Sequence, residues 1–187
     1  MEKLIRLLEN IIHVNDELLC FLSQKVTPLA LKKGSLLLKA GQISDKIYFI
    51  DSGLVRGYYI KDGKDITTGF MKESDFALSP INFFGGQEPF EYLELVEDCN
   101  FHVLSRDNLH YLYNSFCEFN IVGRILVEEY YVRSEIRTHF IRANTAEEKY
   151  KIFLNTYPSL KNRVSNQDIA SFIGVTPETL SRIRAKK

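Results

Sequence analysis

VSNQDIASFIGVTPETLSRIRAK, running from Val164 to Lys186, reads as two short helices joined by a glycine turn. Ser165 followed by Asp168 resembles a capping box: the hydroxyl can accept from an early amide, and the carboxylate favours the positive end of a helix starting near Asn166. Ile169, Ala170, Phe172 and Ile173 give that helix one apolar face. Gly174 stands where a left-handed residue would end it. Thr176 is a good N-cap and Pro177 suits the first helical position, so a second helix is expected from Pro177 to about Lys186. Leu180 and Ile183 point inward on it, leaving Glu178, Thr179, Ser181, Arg182, Arg184 and Lys186 outside. The arrangement is that of a helix-turn-helix, whose second helix lays its N-terminal residues against base edges in the major groove.

The same run resembles the helix-turn-helix of the Crp/Fnr family of bacterial transcription regulators, including its E-T-x-x-R core, here Glu178, Thr179 and Arg182. The resemblance implies that Arg182 donates to a guanine and Glu178 accepts from a cytosine amine, with Ser181 on the same base-reading face. Base-edge geometry favours those two pairings as well. It also implies phosphate contacts from Ser165, Asn166, Gln167, Thr176 and Thr179, to which the outward Arg184, Lys186 and Lys187 add charge. Phosphate contacts position a domain without specifying sequence. The β-hairpin wing that often follows this motif in the family has no counterpart before Lys187.

Charge is partitioned in the same sense. The 187-residue chain carries 24 Lys/Arg and 24 Asp/Glu, for a formal net charge of zero. Residues 145–187 hold eight Lys/Arg against four acids, leaving 16 bases and 20 acids for residues 1–144. A basic end on an acidic body is expected where only one part meets phosphate. With 45% apolar residues the chain can bury a full core. It has no apolar run of the roughly 18 residues a membrane span needs and opens on no signal-peptide pattern, so a cytoplasmic protein without membrane partners is expected. Cys20, Cys99 and Cys117 are odd in number and scattered, which argues for reduced, structural cysteines over a disulfide framework or metal cluster.

Upstream the texture changes. Leu4, Leu7, Leu8, Ile11 and Ile12 stripe an opening amphipathic helix. Short β-type runs follow at Ser35–Lys39, Lys46–Asp51, Leu54–Ile60, Asp65–Met71, about Tyr92–Val96 and about Phe101–Leu104. Turn residues separate them, and Lys61-Asp62-Gly63-Lys64 is a strong hairpin signal. Many short strands at about ten-residue spacing imply an antiparallel sandwich or barrel. Ala40 to Arg56, AGQISDKIYFIDSGLVR, resembles the first signature of the cyclic-nucleotide-binding-like jelly roll of the same family. A glycine turn feeding a buried strand specifies a fold and leaves the ligand open.

On the ligand the chain departs from the nucleotide-binding members. Those carry a G-E-x-[GAS] step opening a short helix, then an arginine about ten positions later, which together neutralise the cyclic phosphate. Ser74 to Tyr92, SDFALSPINFFGGQEPFEY, contains no Arg or Lys and has Asp75, Glu88 and Glu91 instead. Cyclic AMP at the usual site is therefore disfavoured. Phe76, Phe83, Phe84, Phe90 and Tyr92 could line an apolar pocket for an unidentified small-molecule effector, or could simply fill the barrel. Three separated cysteines cannot supply the four ligands of an iron-sulfur cluster. His13, His102, His110 and His139 are isolated, and neither they nor the cysteines form a nucleophile-base pair or a metal-ligand cluster, so no cofactor, no metal and no enzymatic activity are expected.

Between these regions a long helix is expected from about Cys117 to Ala143. Val122, Ile125, Val132 and Ile136 make one apolar seam, interrupted by Glu129, and other apolar residues lie on further faces. A helix so covered needs two partners, its own barrel and the same helix of a second subunit. The resemblance agrees, since this helix is the dimer axis in the family. Asn144-Thr145 reads as a hinge, with Thr145 and Glu148 forming a capping box and a helix running from Ala146 to about Thr156, before Pro158.

The expectation is an α+β chain: an antiparallel β jelly roll (double-stranded β-helix) as sensor over 1–116, a dimerisation helix over 117–144 and a helix-turn-helix DNA-binding domain over 145–187. Its function would be that of a homodimeric, sequence-specific transcription regulator of a pseudo-palindromic double-stranded DNA site, not controlled by cyclic AMP, with RNA polymerase as a partner if it activates. The alternative is a small-molecule-sensing module whose helical tail binds a protein.

Overall fold

The computed structural model describes residues 1–143 and 145–185. Two helices open it: α1 (Glu2–Glu9), the amphipathic helix expected, and α2 (Asp16–Lys25), which the sequence reading passed over. Asn15 caps α2 by accepting from the Leu18 amide at 2.8 Å. Leu4, Leu8, Leu18 and Leu22 bury together against the outer side of the barrel.

The barrel is two four-stranded antiparallel sheets facing each other. One has the order β1 (Thr27–Leu31), β8 (Cys99–Ser105), β3 (Lys46–Ser52), β6 (Phe76–Ala77). The other runs β2 (Leu36–Leu38), β7 (Tyr92–Leu95), β4 (Val55–Lys61), β5 (Lys64–Met71). Pairing of sequence-distant strands, Thr27 opposite Val103 and Leu36 opposite Glu94, produces the jelly roll. All six runs expected from composition are strands, and β1 and the two-residue β6 are additional. At the β4–β5 turn Lys61 pairs with Lys64, and Asp62 and Gly63 both have positive φ, at 51° and 72°. Two such residues define the turn whose twist suits a hairpin.

Between the sheets lie Leu38, Ile50, Val55, Leu93, Leu95, Phe101 and Val103, with Cys99 among them. Burial pushes the Cys99 thiol pKa up, so it stays protonated and packs as a small apolar group. Cys20 and Cys117 are exposed, contrary to a structural role in a core. A four-residue helix, α3 (Pro80–Phe83), crosses one end of the barrel. Helix α4 (Arg106–Ser115), also unanticipated, is capped by Ser105 and leads to the long α5 (Phe119–Ala143). Cys117 lies in the turn before α5. Then come α6 (Ala146–Thr156), α7 (Asn166–Ile173) and α8 (Pro177–Ala185). Thr145 and Glu148 form the capping box of α6. Asn144, the other expected hinge residue, lies outside the described residues. No helix among the described residues is long and apolar enough to cross a membrane.

Candidate nucleic-acid interface

The α7–α8 pair is assembled by the local devices its residues offer. Ser165 caps α7, its hydroxyl accepting from the Asp168 amide at 3.1 Å and donating to the Asp168 carboxylate at 2.6 Å. Gly174 closes α7 at φ 69°, letting the Val175 amide reach back to the Ala170 carbonyl at 2.9 Å. Thr176 then caps α8 by accepting from the Thr179 amide at 3.2 Å. Ile169, Ala170, Phe172 and Ile173 of α7 and Leu180 and Ile183 of α8 are buried with Tyr150 and Phe153 of α6. That packing fixes which side of α8 is left outside.

The outside face carries Glu178, Ser181 and Arg182, all exposed. Glu178 and Arg182 are one helical turn apart, on one side of α8. Hydrogen bonding at the Glu178 backbone amide and to the Thr176 hydroxyl, with the Arg182 charge, holds the Glu178 carboxyl below its ordinary range. The face therefore presents an ionised acceptor beside a guanidinium donor, the two groups that pair with cytosine and guanine edges. Ser165, Asn166, Gln167 and Thr176 are exposed on the rim, with Thr179 half-buried. Arg184 is engaged within the domain: its Nε donates to the Tyr150 hydroxyl at 2.9 Å and its Nη1 to the Asn166 side-chain oxygen. Lys186 and Lys187 lie outside the described residues.

The reader helices are also fastened to the barrel. Arg56 of β4 is buried and meets three carboxylates: Asp65 of β5 at 2.9 Å, Glu94 of β7 at 2.8 Å and Asp168 of α7. Arg163, just before α7, chelates Glu73 at 2.8 and 3.1 Å and Glu97 at 2.5 and 3.2 Å. Burial alone would raise the Glu73 pKa. Its bonds from Arg163 and from backbone amides, including that of Gly53, outweigh this and hold it at about 2. The Ser171 hydroxyl donates to the Asp65 carbonyl and accepts from the Thr67 amide, both at 2.9 Å. Arg137 of α5 lies 4.3 Å over the Phe172 ring and donates to the Thr67 carbonyl. Sequence reading missed this whole contact. An arginine inside an apolar strand signals that partners are needed, yet the partners of Arg56 lie 9, 38 and 112 residues away.

Both halves of this arrangement are matched by family models. Residues 28–116 match the cyclic nucleotide-binding domain, and residues 163–183 match the bacterial regulatory proteins of the crp family. The chain belongs to the Crp/Fnr family. Solved structures of Crp/Fnr regulators superpose on nearly all of it. FixK2 from Bradyrhizobium japonicum has a TM-score of 0.76 at 19% identity, covering 86% of this chain and 83% of that one. A crp/fnr-family protein from Eubacterium rectale has 0.73 at 15%, covering 95% and 87%. The c-di-GMP-responsive regulator CLP from Xanthomonas campestris has 0.70 at 14%, covering 92% and 91%. Sequence comparison with curated proteins gives no match. Like the family, this Crp/Fnr chain is a DNA-binding transcription regulator, and dimerisation is typical of its relatives.

Of the two readings open for the five aromatic residues, lining an effector pocket or filling the barrel, the structure favours the second, since they do not converge on a shared cavity. Phe76 packs edge-on against Phe49, and Phe83 is buried in the core shared with α1 and α2. Phe84 and Phe90 are each 58% exposed. Tyr92 of β7 stacks on Tyr58, its partner on the adjacent β4 of the same sheet. The space lined by Leu38, Tyr48, Leu78, Asn82, Phe83 and Leu93 amounts to about 10 Å³. That is room for about one water, against several hundred Å³ for a ligand pocket. The rings fill and surround the barrel because α3 and its flanks fold onto it. Cations do reach this end from outside the Ser74–Tyr92 segment: Lys46 lines that space, and Arg106 donates to the Asn82 carbonyl at 3.0 Å and lies 5.2 Å over the Phe83 ring. The carboxylate of Asp75 is paired with Arg133 of α5 at 3.3 Å.

On α5 one of the four expected seam residues is turned into the protomer. Val122 is 2% exposed, buried in the protomer's own core, because α1, α2 and α4 pack on that side of the first turns. Ile125 is half-buried, while Val132 and Ile136 are 54% and 61% exposed. Ile121 stands exposed where Val122 was expected, one turn before Ile125. Val127, Tyr130 and Tyr131 widen this uncovered apolar surface.

Proposed function

We propose that this chain acts as a homodimer that reads a two-fold symmetric DNA site, and that cyclic AMP does not control it. The observation carrying the reading is the exposed Glu178–Ser181–Arg182 face on a helix whose opposite side is locked into the core. In a dimer joined along α5 through Ile121, Ile125, Val132 and Ile136, two such faces about 34 Å apart would enter successive major grooves. Ser165, Asn166, Gln167, Thr176 and Thr179 would hold the flanking phosphates. The functional division would be a sensor over 1–116, a dimer helix over 117–144 and the reader over 145–187.

The Ser74–Tyr92 segment supports independence from cyclic AMP, since it offers a phosphate Asp75, Glu88 and Glu91 and no cation of its own, and Arg133 is taken up by Asp75. The same charges disfavour any anionic nucleotide at that end. An effector of another class would have to open the filled barrel before binding. RNA polymerase would be a partner if the regulator activates. Selection of DNA from a random pool at about 150 mM salt, with and without cyclic AMP, tests the reading. A symmetric motif unchanged by the nucleotide is the expected outcome, and absence of any enriched motif would refute it. Arg182→Ala should relax preference at one base pair per half-site and cost about 1 to 3 kcal/mol. Equal loss on specific and random DNA would contradict that role.

A further inference from the structure

The Arg184 guanidinium sits in the angle between three helices. Its Nε is bonded to the hydroxyl of Tyr150, a residue of α6 that is 2% exposed, and its Cζ lies 5.4 Å from that ring's centroid. Its Nη1 donates to the side-chain oxygen of Asn166, the first residue of α7. An arginine has donors only, so the amide of Asn166 can face it only with its oxygen. With its oxygen held by Arg184, that amide has its two N–H donors left free of the guanidinium, and Asn166 is exposed at the start of α7.

We infer that Arg184 is a positioning residue for DNA binding: it orients the Asn166 amide so that its NH₂ group donates to a backbone phosphate, and makes no phosphate contact of its own. The inference rests on the DNA-reading function proposed above. Three features of the geometry carry it. Arg184 is engaged on both of its bonded nitrogens by protein groups, its Nη2 is buried, and the group it orients is the one at the rim. A free Asn side chain would present its oxygen or its nitrogens with little preference, and a carbonyl oxygen facing phosphate is repelled. Locking the rotor removes the wrong orientation before DNA arrives. Reduced ordering cost at binding is the usual effect of such preorganisation.

The experiment is a double-mutant cycle on the full-length protein and its selected DNA site, with affinities measured between 50 and 300 mM salt. The variants are Arg184→Gln, Asn166→Ala and the pair. Arg184→Lys, which keeps the charge but loses the planar fork, guards against a Gln variant that does not fold. Each variant's melting temperature is read alongside. If Arg184 acts through Asn166, both single variants weaken binding by a similar factor, about 3- to 10-fold. The pair is then no weaker than Asn166→Ala alone, and the salt slope does not change. Arg184→Lys should lose as much as Arg184→Gln.

A salt slope reduced by about one in Arg184→Gln, with Arg184→Lys near normal, would mean that Arg184 itself contacts phosphate and would overturn the inference. So would additive losses in the pair, which mark a structural role separate from Asn166. So would unchanged affinity in every variant. A parent protein with no DNA affinity would overturn the function and the inference together, an outcome distinct from a parent that binds while the cycle fails.

Discussion

Replacing Arg163 by Gln tests whether the reader helices are held to the barrel by charge or by packing. Arg163 chelates Glu73 and Glu97, and all three side chains are partly open, at 23%, 36% and 36% exposure. The Glu73 pKa falls from 4.5 to about 2 in the folded protein. Taken at face value, that shift corresponds to about 3 kcal/mol. Solvent screening of a carboxylate more than a third exposed lowers the realistic figure to about 1 kcal/mol. Because the folded pKa is depressed, this stability is fully present above about pH 4.5 and drains away as pH falls toward 2. Arg163→Gln should therefore lower the melting temperature by about 2 to 4 °C at pH 7. The gap between variant and parent should narrow by more than half at pH 3. Calorimetry or urea titration across that range measures it. A deficit of the same size at pH 7 and pH 3 would refute the ionic account and assign the loss to packing.

Three further outcomes are expected. Ile136→Asp should shift the protein toward monomer in sedimentation and weaken operator binding without lowering the protomer's own stability, whereas Val122→Ala should cost about 1 to 3 kcal/mol of folding stability and leave association intact. Gly174→Ala should destabilise by about 1 kcal/mol through its left-handed φ of 69° alone, since the added methyl meets only Ile141, at 4.0 Å, as judged by denaturant titration. Phe83→Ala should cost about 3 to 5 kcal/mol and Phe84→Ala under about 1, measured the same way; comparable losses would restore the idea of a shared aromatic pocket.

What could be read from the chain followed the range of the interactions involved. The α7–α8 pair was legible almost to the residue because Ser165, Gly174, Thr176 and Pro177 act on neighbours within four positions. The β4–β5 hairpin was legible for the same reason. Helix α2 was missed because its apolar residues run together from Leu18 to Leu22 and show no helical period, and α4 because Leu109 and Leu112 stand among half-polar positions. On α5 Ile125, Val132 and Ile136 are left at least partly open and only Val122 is turned inward: Val122 and Ile121 are both apolar, and only the placement of α1, α2 and α4 settles which is covered. The aromatic residues of Phe76 to Tyr92 carried no sign of their orientation. The Arg56 and Arg163 contacts link residues up to 112 apart, beyond any local pattern.

Leu54 and Phe70 are barrel residues by chain position, yet they are buried in the same cluster as Phe153, Phe172 and Leu180. The Phe70 and Phe172 ring centroids are 5.2 Å apart. The DNA-reading portion thus borrows part of its interior from the sheet it rests on. Cut away at the end of α5, it would carry a naked aromatic face and an uncompensated Asp168, and should behave as a sticky fragment, not as an autonomous module. Swapping this reader onto another family member's barrel would meet the same obstacle. The graft would need its counterparts of Leu54, Arg56 and Phe70 carried along, so the heritable unit of specificity in this protein extends into its β-roll.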